Sequence, residues 1–258
     1  NYSVSLIGSP LATADITKKI LELTGFFRVD DKTYDATTKA KINLQNVSLA
    51  GVQAGDAVTL DSITVSFANT LVEVDKIVTI DSVHYSGAEA SNYQLLKTTL
   101  PKDTASISPA VLTIQNTQAN DKVYDGTTAA TLVQKGDLAG FIQNETVILS
   151  NPSSILFENK SAGTNKNVVV KGFSLSNGLN GGQAQNYMLS VDSVITTANI
   201  SKKDLVIAAK DSIMIFTGIP YSGGNGVTFN SFAANEDSTF LGGALSFTGT
   251  SQGAVDPG

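Results

Sequence analysis

The sequence contains no cysteine, no tryptophan and a single histidine among its 258 residues. Without cysteine there are no disulfides and no thiolate metal ligands, although this absence does not identify the cellular compartment. His84 is the only imidazole, so zinc sites with two histidines are excluded, and a histidine-based triad would have to use this one residue. Because His84 lies beside Tyr85 in a polar stretch, we expect it to be a surface residue.

Charge and long apolar runs are also scarce. Only 16% of the residues are charged, the formal net charge is −6 and the sequence pI is about 4.7. Nucleic-acid binding needs clustered lysine and arginine, so this balance argues against such a partner. No apolar run approaches the ~18 residues of a membrane span, so we expect no membrane insertion in this segment.

What the sequence has in abundance is repetition. The heptapeptide at 32–38 (KTYDATT) returns 90 residues later at 122–128 (KVYDGTT). An Asn-Tyr pair occurs three times, and each pair is followed by a Thr-Ala-x-Ile element. These elements lie at 13–16, 104–107 and 197–200. Several anchors at a common period predict a tandem array of one folding unit rather than one large enzyme.

The anchors divide the chain into four segments. Residues 1–19 are expected to form the closing strand of a preceding repeat, residues 20–111 repeat 1, and residues 112–203 repeat 2. Residues 204–258, the last of the four, are expected to be an incomplete third repeat and are called the third segment, with Tyr221 at the position of Tyr124. We therefore expect a slice of a longer, monomeric string of domains.

Local patterns predict β-strands. Ile63, Val65 and Phe67 alternate with polar residues, as in a strand with one buried face, and Val168 and Val170 repeat this pattern. Glycine- and asparagine-rich breaks such as residues 177–182 are typical of turns, and the Lys-Gly pair at 171–172 predicts a bend. The predicted fold class is all-β: tandem antiparallel Ig-like β-sandwiches of about seven strands each, joined end to end.

One stretch has the pattern of a helix instead. Residues 13–23 (TADITKKILEL) place apolar side chains on one helical face. The equivalent segment of the next repeat contains Pro109, which would break a helix, and the third copy continues into a β-like run at 205–207. At all three places we predict the last strand of one domain passing almost directly into the first strand of the next.

The signature Lys-x-Tyr-Asp-Gly-Thr-Thr-Ala, followed by Phe-x-Asn, Lys-x-Val and Asn-Tyr-x-Leu, resembles the YDG repeat of large bacterial surface adhesins, which include filamentous-haemagglutinin-like exoproteins. The third segment is more similar to the related mostly bacterial Ig-like (MBG) repeats. The resemblance implies a β-sandwich stalk module, an extracellular or cell-surface location and no enzymatic activity. The signature residues are Tyr34, Asp35, Asn92, Tyr93, Tyr124, Asp125, Gly126, Asn186 and Tyr187.

The Tyr-Asp-Gly element also has a physical interpretation of its own. Asp125 followed by Gly126 suits a turn in which glycine has a positive φ and the aspartate side chain binds an amide two residues on. Tyr124 can bury its ring while its hydroxyl keeps a hydrogen-bond partner. Ala36 replaces the glycine in repeat 1, which predicts either a different turn type or modest strain. A structural turn is the favoured interpretation, and a ligand contact is the alternative.

Two acidic clusters are the remaining candidate sites. Asp30, Asp31 and Asp35 form one, and Asp121 with Asp125 forms the other. Carboxylates near a domain junction could bind calcium, but no Asp-x-Asp-x-Asp-Gly loop is present, and acidic residues beside turns are usually solvated. We therefore expect no metal, no cofactor and no catalytic residue.

Two functions remain open from the sequence. The chain could be a spacer that holds a distal adhesive tip away from a bacterial cell. Alternatively, its loops could bind host or bacterial surface glycans or proteins, as in adhesion to a host or within a biofilm. Repeats 1 and 2 diverge at 84–91 and 174–185, which are predicted to be loops, and such divergence is expected under either function.

Overall fold

The computed structural model describes residues 1–3, 13–98, 100–211 and 213–256. Apart from three single-turn 3-10 helices (Ala90–Asn92, Ala184–Asn186 and Ser238–Phe240), the secondary structure of these residues consists of β-strands. This confirms the predicted all-β class. No helix in the described ranges has the length and apolar character needed to cross a membrane.

The described residues of repeat 1 form seven strands in two sheets, as predicted. One sheet has the order β3-β1-β6 and the other β2-β7-β5-β4. Most pairings are antiparallel, but the short strands β6 and β2 run parallel to β1 and β7, respectively. The strands are β1 Lys19–Val29, β2 Lys32–Thr33, β3 Ile42–Ala50, β4 Thr59–Phe67, β5 Glu73–Ser86, β6 Tyr93–Leu95 and β7 Lys102–Ser108.

The core of repeat 1 follows from alternation along its strands. The apolar residues Ile63, Val65 and Phe67 of β4 are buried, as the sequence pattern predicts. Burying apolar side chains stabilises by roughly 25 cal/mol per Å² of area removed from water. The other fully buried apolar side chains of this repeat include Leu21, Phe27, Val78 and Ile107.

Repeat 2 has the same overall sheet arrangement as repeat 1, but most of its strands are shorter, and they are more numerous. Its four-stranded sheet has the order β10-β18-β15-β14, which matches β2-β7-β5-β4 strand for strand. Its strands are β8 Ala110–Gln115, β9 Gln118–Ala119, β10 Lys122–Val123, β11 Leu132–Gln134, β12 Asp137–Ala139, β13 Val147–Leu149, β14 Ser154–Phe157, β15 Gly163–Lys171, β16 Leu175–Asn177, β17 Tyr187–Leu189 and β18 Ser193–Ser201.

Matching hydrogen bonds confirm the common plan. The Leu96 amide donates to the Leu21 carbonyl oxygen at 2.8 Å in repeat 1, and the Ser190 amide donates to the Leu112 carbonyl oxygen at 2.8 Å in repeat 2. The core of repeat 2 contains Phe157, Val168, Val170, Ala198 and Ile200, against which Tyr124 packs.

The predicted bend at Lys171 and Gly172 is confirmed. Gly172 has φ +77°, β15 ends at Lys171 and β16 begins at Leu175. The equivalent region of repeat 1 is the single strand β5, so the prediction of a loop over 84–91 is wrong for residues 84–86. The prediction of a loop over 174–185 is likewise wrong for residues 175–177, which form β16. His84 is exposed on this strand, as expected.

The predicted passage from one domain to the next is also present at residues 107–112. Strand β7 ends at Ser108 and β8 begins at Ala110, with only Pro109 between them. At the preceding place the prediction of a closing strand is wrong for residues 1–3 and 13–18, which lie outside any strand, and β1 begins at Lys19. The rest of the predicted closing strand, at residues 4–12, lies outside the described residues.

In the part of the third segment that the structure describes, two strands, β19 Val206–Ala209 and β20 Val227–Asn230, pair antiparallel. The chain as a whole divides into two compact units. Unit 1 contains residues 1–111, 140–147 and 177–188, and unit 2 contains residues 112–139, 148–176 and 189–258. Unit 1 therefore combines repeat 1 with two segments that belong to repeat 2 in the sequence.

Candidate functional site

In repeat 1 the Tyr-Asp element closes around the ammonium group of Lys32. Lys32 Nζ donates to Asp35 Oδ1 at 2.6 Å and to the carbonyl oxygen of Thr37 at 2.7 Å. The carbonyl oxygen of Lys39 accepts from the same nitrogen at 3.1 Å, and the centre of the Phe67 ring lies 5.5 Å away. An ammonium group has three donors and is attracted to an aromatic face, so this pocket satisfies it from several sides. We call this arrangement the lysine cage.

Repeat 2 contains a matching lysine cage. Lys122 Nζ donates to Asp125 Oδ1 at 2.8 Å and to the carbonyl oxygen of Thr127 at 2.9 Å. The Ala129 carbonyl oxygen accepts at 2.8 Å, and the Phe157 ring centre is 5.6 Å away. The two cages therefore agree in partners, and their distances agree within a few tenths of an ångström. This agreement gives the repeated lysine, aspartate and phenylalanine a shared structural role.

The aspartates also bind their own turns, as predicted. The Thr37 amide donates to Asp35 Oδ1 at 2.9 Å, and the Thr127 amide donates to Asp125 Oδ1 at 2.9 Å. Each threonine hydroxyl donates to the same oxygen, also at 2.9 Å. Both Tyr-Asp elements are thus turns held by an aspartate side chain, with the threonine two residues later as its partner.

Ala36 adopts the same backbone conformation as its glycine counterpart. Its φ is +60°, and that of Gly126 is +80°. This region is unfavourable for residues with a Cβ atom, so repeat 1 carries modest strain and does not use a different turn type. A Cβ atom at Gly126 would lie 3.2 Å from the Cβ of Ala233, which is a tight contact.

The lysine cage also fixes the charge of the aspartates. The hydrogen bond from Lys122 lowers the pKa of Asp125 to about 2. At Asp35 burial opposes the shift, but the bond from Lys32 and the turn still hold the pKa below its ordinary value. Both carboxylates are ionised at neutral pH, which keeps them acceptors for the ammonium group.

The tyrosine of repeat 1 makes a contact that its sequence neighbours do not predict. Tyr34 is only 4% exposed, and its hydroxyl donates to Glu145 Oε1 at 2.7 Å. The hydroxyl of Tyr187 donates to Glu145 Oε2, also at 2.7 Å. The two rings meet edge to face, with centroids 5.6 Å apart and an interplanar angle of 74°. All three residues lie in unit 1, and we call this group the tyrosine clamp.

The tyrosine clamp favours the protonated, neutral form of the Tyr34 and Tyr187 hydroxyl groups. Burial, reinforced by the Glu145 carboxylate, raises the pKa of Tyr34 above its ordinary value and raises the pKa of Tyr187 to about 12. Each hydroxyl therefore remains a donor at neutral pH, and one carboxylate accepts from both. Hydrogen bonds to a charged acceptor are stronger than neutral ones, so the clamp is a cohesive contact rather than a reactive group.

A backbone contact accompanies the clamp in unit 1. The Val72 amide donates to Asn186 Oδ1 at 3.1 Å, and the Asn186 side chain is almost fully buried. Val72 belongs to repeat 1 and Asn186 to the Asn-Tyr pair of repeat 2. The equivalent asparagine of repeat 1, Asn92, is exposed. The two asparagines of the same motif therefore have different surroundings.

Unit 2 contains a second contact of the same kind. The Tyr124 hydroxyl donates to Glu236 Oε1, and Lys160 Nζ donates to the same oxygen at 2.8 Å. The bond from Lys160, and then that from Tyr124, lowers the pKa of Glu236. The bond to Glu236 in turn raises the pKa of Tyr124. The tyrosine of each Tyr-Asp element thus binds a glutamate that follows it by more than 100 residues.

The two glutamates lie in equivalent turns. In each turn the amide of the acidic residue donates to the carbonyl oxygen three residues before it, and a third such turn in repeat 1 ends in Asp56. The pairs are Asp56 with Gln53 at 3.0 Å, Glu145 with Ile142 at 3.2 Å and Glu236 with Ala233 at 3.1 Å. We call these the acidic turns. The alignment of Asp56 with Glu145 is visible in the sequence, and the position of Glu236 extends it to the third segment.

Tyr93 occupies the acidic turn of its own repeat. Its hydroxyl donates to Asp56 Oδ2 and accepts from the Gln53 amide at 3.0 Å. The bond to Asp56, together with burial, raises the pKa of Tyr93. In the same way the Tyr187 hydroxyl accepts from the Ile142 amide at 3.3 Å. Tyr93 and Tyr187 therefore each stabilise the acidic turn of their own repeat, whereas Tyr2, in the first Asn-Tyr pair, is fully exposed.

The acidic clusters proposed from the sequence are divided among separate partners. Asp30 Oδ1 accepts from Asn43 Nδ2 at 2.7 Å, and Asp31 Oδ1 accepts from the Ser106 amide at 2.6 Å. Asp35 belongs to the lysine cage. Within the described part of the chain, no three histidine, cysteine, aspartate or glutamate side chains are grouped as they would be around a metal ion.

Sequence reasoning located the signature residues but missed two kinds of functional partner. The lysines of the cage stand within the repeated heptapeptide, and their constant spacing from the aspartate was an available signal. The glutamates of the acidic turns are separated from their tyrosines by more than 100 residues, and no local pattern connects them. Tyr34 and Tyr187 are brought together, whereas Tyr93 binds Asp56 and Tyr124 binds Glu236.

Comparison with known proteins gives one family. The model of the YDG domain matches the chain twice, over residues 17–100 and 108–198, which together exceed half of the sequence. The two matches correspond to repeats 1 and 2, and the third segment lies outside them. No curated protein and no solved structure matches the chain.

Proposed function

Because the chain belongs to the YDG domain family in both of its repeats, we propose that it is a non-catalytic stalk segment of a bacterial cell-surface adhesin. In this role it holds a distal binding region away from the cell, as in filamentous-haemagglutinin-like exoproteins. The third segment is then an MBG-like repeat of the same stalk. The location that follows is extracellular, either on the bacterial surface or in secreted form.

The observation that supports this proposal is how the repeated polar residues are used. The lysine and aspartate of each cage bind each other and their own turn. The tyrosines of the Tyr-Asp elements bind acidic turns. A ligand site needs polar groups that remain available to a ligand, whereas in a structural framework the polar groups form hydrogen bonds with one another. The residues common to both repeats therefore serve the fold.

A binding function in the loops is the second candidate. The loop after β16 places Leu179 at its tip with its side chain 74% exposed, between Gly178 and Asn180. An exposed leucine in a glycine-rich loop is a contact that a partner protein or a glycan could cover. This observation concerns repeat 2, because the corresponding part of repeat 1 is shorter.

An adhesion assay separates the two functions. The purified 258-residue chain, immobilised on beads, is offered to host cells, bacterial cells, matrix proteins and a glycan array. For a stalk we expect no more binding than an unrelated β-sandwich protein of similar charge gives. Saturable binding that is lost in Leu179→Ser, with the melting temperature unchanged, would replace the stalk function with the adhesive one. Ser176→Ala, in the neighbouring strand β16, is the matched control.

A further inference from the structure

The tyrosines of the two Tyr-Asp elements make the same kind of contact, a hydrogen bond to a glutamate of the following repeat. Tyr34 belongs to repeat 1, and its acceptor Glu145 belongs to the acidic turn of repeat 2, within unit 1. Tyr124 belongs to repeat 2, and its acceptor Glu236 belongs to the acidic turn of the third segment, within unit 2. The separations in sequence are nearly the same, 111 and 112 residues. Two independent instances with the same donor and the same kind of acceptor indicate a rule.

The loop that follows the edge strand of each four-stranded sheet takes part in both instances. In repeat 1 this loop supplies the Val72 amide, which binds Asn186. In repeat 2 the corresponding loop supplies Lys160, which binds Glu236 at 2.8 Å and lies over the Phe240 ring at 5.9 Å. The tyrosine and this loop form a donor face, and the acidic turn with its neighbours forms a receptor face.

We propose that the acidic turn of each repeat, including that of the third segment, is the docking site for the Tyr-Asp tyrosine of the repeat before it. The acidic residue of the turn then determines whether two consecutive repeats fit. Because the donor and receptor faces consist of different residues, the contact is directional, as in other heterologous interfaces. The inference deepens the stalk function, since it names the residues through which one repeat of the stalk recognises the next.

The length of the acidic side chain matters for this contact. Glu145 uses one carboxylate oxygen for Tyr34 and the other for Tyr187, each at 2.7 Å. Aspartate at this position would retract the carboxylate by about 1.5 Å and could not keep both bonds near their ordinary length of about 2.7 Å. Glu145→Asp therefore tests the geometry of the clamp, and Glu145→Gln tests its charge.

The main experiment measures amide hydrogen exchange in the full 258-residue chain. Tyr34→Phe removes only the hydroxyl, so we expect the amides of residues 140–147 to exchange about tenfold faster, the effect of losing one hydrogen bond to a charged group. Glu145→Gln and Glu145→Asp should accelerate the same amides. The double variant Tyr34→Phe/Glu145→Gln should exchange no faster than the stronger single variant, because both changes break the same contact.

Tyr85→Phe is the matched control. It removes a hydroxyl of repeat 1 that donates to the Tyr93 carbonyl oxygen at 3.3 Å, and it should leave residues 140–147 unchanged. If Tyr34→Phe accelerates exchange only within residues 32–39, the tyrosine stabilises its own turn and the proposal is wrong. Strictly additive effects of the two changes in the double variant would also overturn it.

A tyrosine titration followed by NMR gives an independent readout. Burial, together with the Glu145 carboxylate, raises the pKa of Tyr187 to about 12, and Glu145→Gln should lower this pKa in part, because the anionic acceptor is lost while the burial remains. In Tyr34→Phe the carboxylate remains, and the Tyr187 pKa should stay raised. An unchanged pKa in Glu145→Gln would contradict the assigned contact. Neither readout depends on adhesion, so the docking rule and the stalk function can fail separately.

The second instance must obey the same rule. Tyr124→Phe and Glu236→Gln should each accelerate exchange at the amides of residues 233–236, where Glu236 closes its turn on Ala233. Lys160→Met should act in the same direction because it removes the second donor to that carboxylate. If only the first instance responds, the contact is peculiar to residues 34 and 145 and is not a property of the repeats.

Discussion

The Tyr-Asp elements of repeats 1 and 2 have the same lysine cage but differ at the residue after the aspartate. Repeat 1 has Ala36 with φ +60°, and repeat 2 has Gly126 with φ +80°. The cage bonds from Lys32 and Lys122 are nevertheless equivalent. The backbone conformation of this turn is therefore determined by the hydrogen bonds between the ammonium group and its acceptors. Glycine at the position after the aspartate only reduces the backbone strain.

The two elements differ also in the burial of their tyrosines, and this gives the largest expected effect. Tyr34→Ala should cost about 3–5 kcal/mol, since a fully buried aromatic ring and its clamp are lost. Tyr124→Ala should cost less, about 2–4 kcal/mol, because its ring is half-buried. Denaturant unfolding of both variants measures the difference. Tyr2→Ala is the control with a small effect, because the Tyr2 side chain is fully exposed. A larger loss for Tyr124→Ala than for Tyr34→Ala would reverse the comparison.

Removing the ammonium group should affect both elements equally. Lys32→Met and Lys122→Met leave the aspartate and two carbonyl oxygens without their donor, so each should destabilise by about 1–3 kcal/mol. Thermal unfolding measures both variants. Lys41→Met is the matched control, because the Lys41 side chain forms an exposed ion pair with Asp30, and the variant should differ from the wild type by no more than about 0.5 kcal/mol. Unequal effects of the two cage variants would show that the cages are not equivalent.

Exchanging alanine and glycine at positions 36 and 126 tests how much the residue after the aspartate contributes to the stability of each repeat. Gly126→Ala should destabilise by about 1–2 kcal/mol, because a Cβ atom in a left-handed backbone is unfavourable and would also approach Ala233 closely. Ala36→Gly relieves strain but increases the freedom of the unfolded chain, so its net effect should be within about 0.5 kcal/mol. Equal and opposite effects in the two denaturant curves would contradict this asymmetry.

The smallest expected effect is a dependence on acid. The folded pKa of Asp125 is about 2, below its ordinary value of 3.8, so its contribution to stability is present above pH 3.8 and is lost as the pH falls to about 2. Melting temperatures of the wild type and of Asp125→Asn between pH 5 and pH 2 test this. The variant should be less stable at pH 5, and the gap should narrow in acid. A constant gap would show that Asp125 acts only through its shape.

The sequence predicted the fold well because the two repeats constrain each other. Pro109 excluded a helix in all three copies of one segment, and β7 and β8 are the strands expected there. The turn at Asp125 and Gly126 was predicted from local chemistry, since its hydrogen bonds join residues two positions apart. Short-range rules apply to such elements without knowledge of the tertiary structure.

The tyrosine clamp could not be predicted from short-range rules. Its partners Tyr34 and Glu145 are 111 residues apart, and the acidic turn around Glu145 has no strong sequence pattern. The loop prediction for residues 84–86 failed for a related reason. The sequence differences between repeats 1 and 2 predict loops, but repeat 1 continues β5 through this region, whereas repeat 2 bends at Gly172. A bend in one copy does not predict a loop in the other.

Each repeat carries its Tyr-Asp tyrosine and its acidic turn at nearly the same positions, and this affects how such a chain can change in evolution. The tyrosine and the acidic turn recur at nearly constant separations, so duplication or deletion of one whole repeat by recombination joins a donor face to a receptor face again. A loss or gain of part of a repeat would bring the wrong residues together at the new junction. Arrays built on this contact can therefore vary in length in whole repeats while every internal junction keeps its tyrosine and its carboxylate.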